Sequence, residues 1–204
     1  MIKKQVYTDL EEIEGSDSTI NMADYYFFRN AFTDEEIERI KKIAMKYPAT
    51  EAATGQEASS KQEDSVRKST VRWLHDDVGE LNWVYERLFN MTNEANNHLW
   101  DFNLSHAGEV LQYTEYPENG GHYDWHIDCG HNMQAQRKIS ITVQLNDDYD
   151  GGELELWRGQ TPATALKEKG TVVIFPSYML HRVSPVTNGV RNSLVLWIGG
   201  DHYR

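Results

Sequence analysis

Residues 138–145 read Lys-Ile-Ser-Ile-Thr-Val-Gln-Leu (KISITVQL). Apolar and polar side chains alternate from Ile139 on. Ile139, Ile141, Val143 and Leu145 fall on one side of an extended chain, and Ser140, Thr142 and Gln144 fall on the other. A period of two predicts a strand. Its polar side either meets water or lines an internal cavity, and the alternation alone favours neither. The same texture continues outward, with further strands predicted over 109–116, 123–128, 153–157, 171–175, 181–184 and 191–198. Turn signals punctuate them, among them Asn119-Gly120-Gly121, Asp150-Gly151-Gly152, Gly170 and Asn188-Gly189.

Upstream of residue 100 the texture is helical. Residues 25–32 (YYFFRNAF) read as a strand or extended lead-in. Thr33 then opens a helix, and Glu36 three residues on completes a capping-box pattern. Ile37, Ile40, Ala44 and Tyr47 recur at helical spacing until Pro48 stops the run. Residues 49–68 are small and polar without periodicity, which predicts a flexible loop, and 69–74 (STVRWL) predicts a strand. Leu81, Val84, Leu88, Met91, Ala95 and Leu99 mark a second, longer amphipathic helix. Two helices followed by seven or eight short strands predict an α+β protein with a β-sandwich or jelly-roll core. No repeat or linker divides the 204 residues, so a single domain over 1–204 is expected, with helical support over about 33–99 and the β core over about 100–199.

Acidic residues number 32 against 20 Lys and Arg, a formal net charge of −12. Such a field repels phosphate backbones, so no nucleic-acid partner is expected. No run of eighteen apolar residues offers a membrane span. The N-terminal MIKKQVYTDLEEIEG has no apolar segment behind its basic residues, and the lone Cys129 forms no internal disulfide. Both features predict a cytoplasmic protein. Oligomeric state is not legible.

Three His-x-Asp pairs stand in the chain: His75/Asp77, His122/Asp124 and His126/Asp128. With 8 histidines and 32 acids, chance alone supplies a pair of this kind, so the motif by itself is weak. His75/Asp77 falls where a strand gives way to a helix, where Asp77 is expected to cap the helix. The other two pairs share one stretch, and if it is regularly extended all four side chains share a face. His126/Asp128 is better placed, because Cys129-Gly130 ends the strand directly afterwards. Two imidazoles and one carboxylate on one face of a metal, with the opposite face open, are what a mononuclear non-haem iron oxygenase requires. His181 is a candidate third ligand, against the commoner role of a hydrogen-bonded core histidine. Arg191 follows ten residues later on a strand apolar on both faces. That strand is therefore buried, and a buried guanidinium calls for an anion such as a dicarboxylate.

Residues 116–128 (YPENGGHYDWHID), with GGELELW and FPSYMLHRVSPVTNGVRNSLVLW downstream, resemble the prolyl 4-hydroxylase branch of the 2-oxoglutarate/Fe(II)-dependent dioxygenases over about 105–199. The resemblance implies a double-stranded β-helix (jelly-roll) core with iron held by His126, Asp128 and His181. Arg191 would pair with the C5 carboxylate of 2-oxoglutarate, and Tyr116 would line the co-substrate pocket. Trp197 would lie near the substrate, with His122 and Asp124 as further candidates at the cavity mouth. Gln144 stands where the family often has a tyrosine that also holds the C5 carboxylate, so Gln144 or Thr142 would supply that contact. Trp197 also occupies the place where DNA/RNA-repair members usually carry a second arginine, which argues against that branch. The implied cofactors are Fe(II), 2-oxoglutarate and O₂, with ascorbate as a further candidate. The implied reaction oxidises 2-oxoglutarate to succinate and CO₂ and hydroxylates a prolyl residue in a peptide or protein. Two readings compete with it: an oxygenase of a free amino acid or other small molecule, and a non-catalytic cupin-like metal-binding module. The long polar stretch at 49–68 is either a lid over a peptide or an insertion without a role.

Overall fold

A computed structural model describes residues 25–52, 64–157 and 159–202. The strand Arg137–Gln144 is buried along its whole length. It lies in an eight-stranded antiparallel sheet between Val172–Pro176 and Arg191–Gly200, with Tyr26–Phe28 at one edge and Gln112–Tyr116, Thr70–Trp73 and Thr50–Glu51 running to the other; Leu104–Ala107 also pairs with Arg191–Gly200. Register puts Ile141 between Ile174 and Leu196, and Val143 between Val172 and Leu194. This apolar face is covered by the helices Asp34–Ala44 and Asn82–Leu99, whose Ile37, Ile40, Ile43, Val84, Leu88 and Ala95 join it in one core. The opposite face, carrying Ser140 and Thr142, looks towards a second antiparallel sheet of Pro162–Thr164, Leu154–Trp157, His181–Val183, His122–His126 and Arg67–Lys68. A small ladder pairs Val186–Asn188 with Asp150–Gly151. Mostly antiparallel sheets with two helices are consistent with a jelly-roll.

Both halves of the Thr33 capping box form: the Glu36 N–H donates to the Thr33 hydroxyl and the Thr33 N–H donates to the Glu36 carboxylate. The second helix differs from expectation. Asp76, not Asp77, anchors its start, accepting the Leu81 N–H at 2.5 Å. The stretch at 49–68 is also not all loop. Thr50–Glu51 extends the larger sheet and Arg67–Lys68 the smaller, through backbone pairing that polar residues at a sheet edge make without any apolar alternation. Residues 53–63 and the N-terminal 1–24 lie outside the described residues, and with them the expectations about a lid and a leader. Among the described residues no helix is long and apolar enough to cross a membrane.

Candidate metal and co-substrate site

The strand His122–His126 is not regularly extended. His181 pairs with His126 while Val183 pairs with Tyr123, so two residues of one strand span three of the other. Such a bulge turns the chain by one step, and side chains an odd number apart then share a face. Tyr123 and His126 do so, with their rings stacked at 3.5 Å between centroids. This overturns the expectation that His122, Asp124, His126 and Asp128 lie together. Tyr123, His126 and Asp128 line a cavity of about 520 Å³, and His122 and Asp124 are not among its lining residues. His122 instead shares a hydrogen bond with the Gly120 carbonyl, and Asp124 accepts the Trp125 N–H.

Asp128 lies just beyond the strand. Its N–H and that of Cys129 both donate to the Ser177 carbonyl, which fixes the chain where the carboxylate meets the two imidazoles. The ligating atoms of His126, Asp128 and His181 all lie within 4.8 Å of one another, with each Nε2 at 3.6 Å from a carboxylate oxygen. His126 Nδ1 lies 2.7 Å from the Asp124 carbonyl and His181 Nδ1 lies 2.8 Å from that of Met179. Nδ1–H donation to those carbonyls leaves each Nε2 lone pair aimed at the centre. Burial, then the neighbouring His181, holds His126 well below the usual histidine range and hence neutral. Burial of Asp128 works towards protonation, but the two histidines and the Ser140 hydroxyl, donating at 2.6 Å, outweigh it and keep the carboxylate ionised. Two imidazoles and an ionised carboxylate form the donor set that a divalent transition metal takes.

Arg191 is 1% exposed and lines the same cavity. It donates to Gln144 Oε1 at 3.1 Å and to the Ser193 hydroxyl at 3.3 Å, and its guanidinium carbon stands 5.1 Å from the centre of the Tyr116 ring. Tyr149 lies close enough for the Arg191 guanidinium to offset part of the rise that burial gives its phenol. None of these partners is anionic, Nε has no partner, and no carboxylate among the described residues pairs with it. A guanidinium so placed fits a carboxylate ligand. Gln144 stands beside Arg191 and is absent from the cavity lining, its Nε2 donating to the Leu166 carbonyl at 3.2 Å, whereas Thr142 does line the cavity. Trp197 lines it too, under the Arg137 guanidinium at 3.9 Å, and Arg137 is ion-paired to Glu109 at 2.5 Å. Sequence reasoning missed Tyr123, which the bulge concealed, and Tyr149, which precedes the Gly151-Gly152 turn. Gly152 has φ +64, and a Cβ there would stand 3.0 Å from Tyr149 and 3.2 Å from the Arg191 side chain, so the second glycine of that turn makes room for this pair.

Comparison with known proteins gives concordant findings. Residues 111–199 match the 2OG-Fe(II) oxygenase superfamily. A PKHD-type hydroxylase of Synechococcus sp. (strain CC9311) is 37% identical over 83 residues, 40% of this chain and 38% of the relative. A PKHD-type hydroxylase of Prochlorococcus marinus (strain MIT 9301) is 26% identical over 175 residues, 85% of this chain and 77% of the relative. The chain thus spans about two fifths of the length of the first of these relatives. In fold it resembles a Trichoplax adhaerens prolyl hydroxylase solved with a hypoxia-inducible-factor peptide fragment, with TM-score 0.72 at 16% identity over 88% of this chain and 85% of that one. A Pseudomonas putida prolyl-4-hydroxylase gives TM-score 0.66 at 19% identity over 86% and 92%.

Proposed function

We propose that the chain, whose residues 111–199 match the 2OG-Fe(II) oxygenase superfamily, is a single-domain, jelly-roll hydroxylase dependent on Fe(II) and 2-oxoglutarate that acts on a prolyl residue of a peptide or protein. One observation carries this reading: the His126, Asp128 and His181 donors converge in the same cavity as a buried Arg191 that has no acidic partner among the described residues. A metal centre alone would not call for that arginine, and a non-catalytic metal-binding module would have no need for both.

In this reading His126, Asp128 and His181 hold the iron, and Arg191 receives the C5 carboxylate of 2-oxoglutarate. Iron supplies the oxidising chemistry that couples decarboxylation of 2-oxoglutarate to hydroxylation of the substrate. The protein's own part is positional. Ser140 fixes Asp128, the Asp124 and Met179 carbonyls fix the two imidazoles, and Gln144 and Ser193 fix Arg191. Phe175 packs edge-on against His181 at 4.7 Å and Tyr123 stacks on His126, so aromatic rings limit water around the ligands. The hydroxylase reading draws on the two PKHD-type relatives, and the peptide assignment on a fold shared with a prolyl hydroxylase solved with a peptide fragment.

Succinate release from 2-oxoglutarate in the presence of Fe(II) tests the reading. His126→Ala, Asp128→Ala or His181→Ala is expected to abolish it, and His122→Ala or Asp124→Ala to retain it. An active His126→Ala variant beside a dead His122→Ala variant would reject the assignment.

A further inference from the structure

All three arginines that are buried among the described residues, Arg67, Arg137 and Arg191, line the cavity that holds the metal triad. The same lining carries three carboxylates, Glu51, Glu109 and Asp128, so each of these arginines has to be matched to its anion in turn. Two of the three are accounted for. Arg137 is ion-paired to Glu109, and the reading above gives Arg191 the C5 carboxylate of 2-oxoglutarate. Arg67 is left over. It is 8% exposed, its Nε donates to the buried Ser69 hydroxyl at 2.9 Å, and its guanidinium carbon stands 4.4 Å from the centre of the Tyr123 ring. That ring in turn stacks on the metal-binding His126. Among the described residues no carboxylate pairs with Arg67. Backbone pairing of Arg67 with Tyr123 fixes its Cα, and the ring and Ser69 fix its side chain, so the guanidinium is held in place before any ligand arrives. A desolvated guanidinium with neutral partners alone is unfavourable until an anion completes it.

We propose that Arg67 is the anion site for the substrate: the molecule hydroxylated at this centre carries a carboxylate, which the Arg67 guanidinium receives. The proposal rests on the oxygenase reading of the triad and adds the substrate's chemical class to it. The carboxylate has two sources, an acidic side chain near the target residue in a peptide or the target's own α-carboxylate.

The test is binding without turnover. Full-length protein, loaded with Fe(II) and 2-oxoglutarate under nitrogen, is titrated calorimetrically with matched probes. One arm pairs N-acetyl-L-proline with N-acetyl-L-prolinamide. The other uses capped pentapeptides with a central proline, scanning one Asp or Asn over the four remaining positions. In one arm or the other the acid is expected to bind about tenfold tighter than its amide, as the arm's source of the carboxylate dictates. In Arg67→Gln that preference is expected to fall to within about twofold, with the neutral partner's affinity unchanged. Arg67→Met, which keeps an apolar stem over Tyr123, serves the same purpose if the glutamine variant does not fold. Acid and amide binding alike in both arms, whether both bind or neither does, overturns the proposal, as does an acid preference that survives the loss of Arg67. Succinate release answers a separate question. Turnover without acid preference removes the Arg67 site and leaves the oxygenase. An Arg67-dependent acid preference in a protein that releases no succinate keeps the site and removes the oxygenase reading.

Discussion

Ser140 sits on the polar side of a strand that is otherwise core, and it donates to Asp128 while sharing a second hydrogen bond with Ser177 at 3.0 Å. A ligand oriented by such a partner binds metal more tightly than one left to rotate. Ser140→Ala should therefore weaken Fe(II) binding by about 10–100-fold with the fold intact, measured by metal titration and by circular dichroism. Arg191 carries a different kind of load. In the proposed role, removing it would strand the 2-oxoglutarate carboxylate, a loss of about 2–5 kcal/mol, so Arg191→Ala should raise the KM for 2-oxoglutarate by orders of magnitude. Arg191→Lys should recover part of the binding, because the charge stays and the two-pronged geometry is lost. An unchanged KM in the alanine variant would reject the role. That Arg191 is buried could be read in advance from Leu194, Leu196 and Ile198 on one side of its strand and Val195 and Trp197 on the other. The placement of Asp76 could not, because Asp76 and Asp77 are chemically alike and only the path of the chain chooses between them.

The helix Asp34–Ala44 was legible down to its cap because its signals are local: a Thr-x-x-Glu pattern and an apolar stripe at a spacing of three and four. Thr33→Ala removes one half of that reciprocal pair and should cost about 1 kcal/mol of stability, read as a lowered midpoint in urea without a changed slope. Central strands were legible for a similar reason, since a buried sheet leaves a period of two in the sequence. Edge elements leave no such trace. Thr50–Glu51, Arg67–Lys68, Pro162–Thr164 and Val186–Asn188 are held by backbone pairing with strands distant in sequence, and their side chains are largely polar or exposed. The bulge between Tyr123 and His126 was illegible too. It is a mismatch between two strands, and neither strand's sequence alone contains it.

At the scale of the molecule, the larger sheet packs its two helices on one side and builds the candidate site on the other. Adjacent residues of its central strands therefore answer to different demands. In Arg137–Gln144 the odd positions Ile139, Ile141 and Val143 belong to the core, and the even positions Ser140, Thr142 and Gln144 belong to the site or its supports. In Arg191–Gly200 the parity is reversed: Leu194, Leu196 and Ile198 are core, while Arg191, Ser193, Val195 and Trp197 line the cavity. A saturation-mutagenesis library scored separately for cellular abundance and for 2-oxoglutarate turnover should show two interleaved combs along each strand. Truncating a core tooth should cost about 2–5 kcal/mol and deplete the protein itself, whereas changing a cavity tooth should leave abundance near normal and silence turnover. Combs that coincide would mean that stability and activity are not carried on opposite faces. If they interleave, selection for a new substrate can work on every second residue of these strands without touching the residues that keep the chain folded.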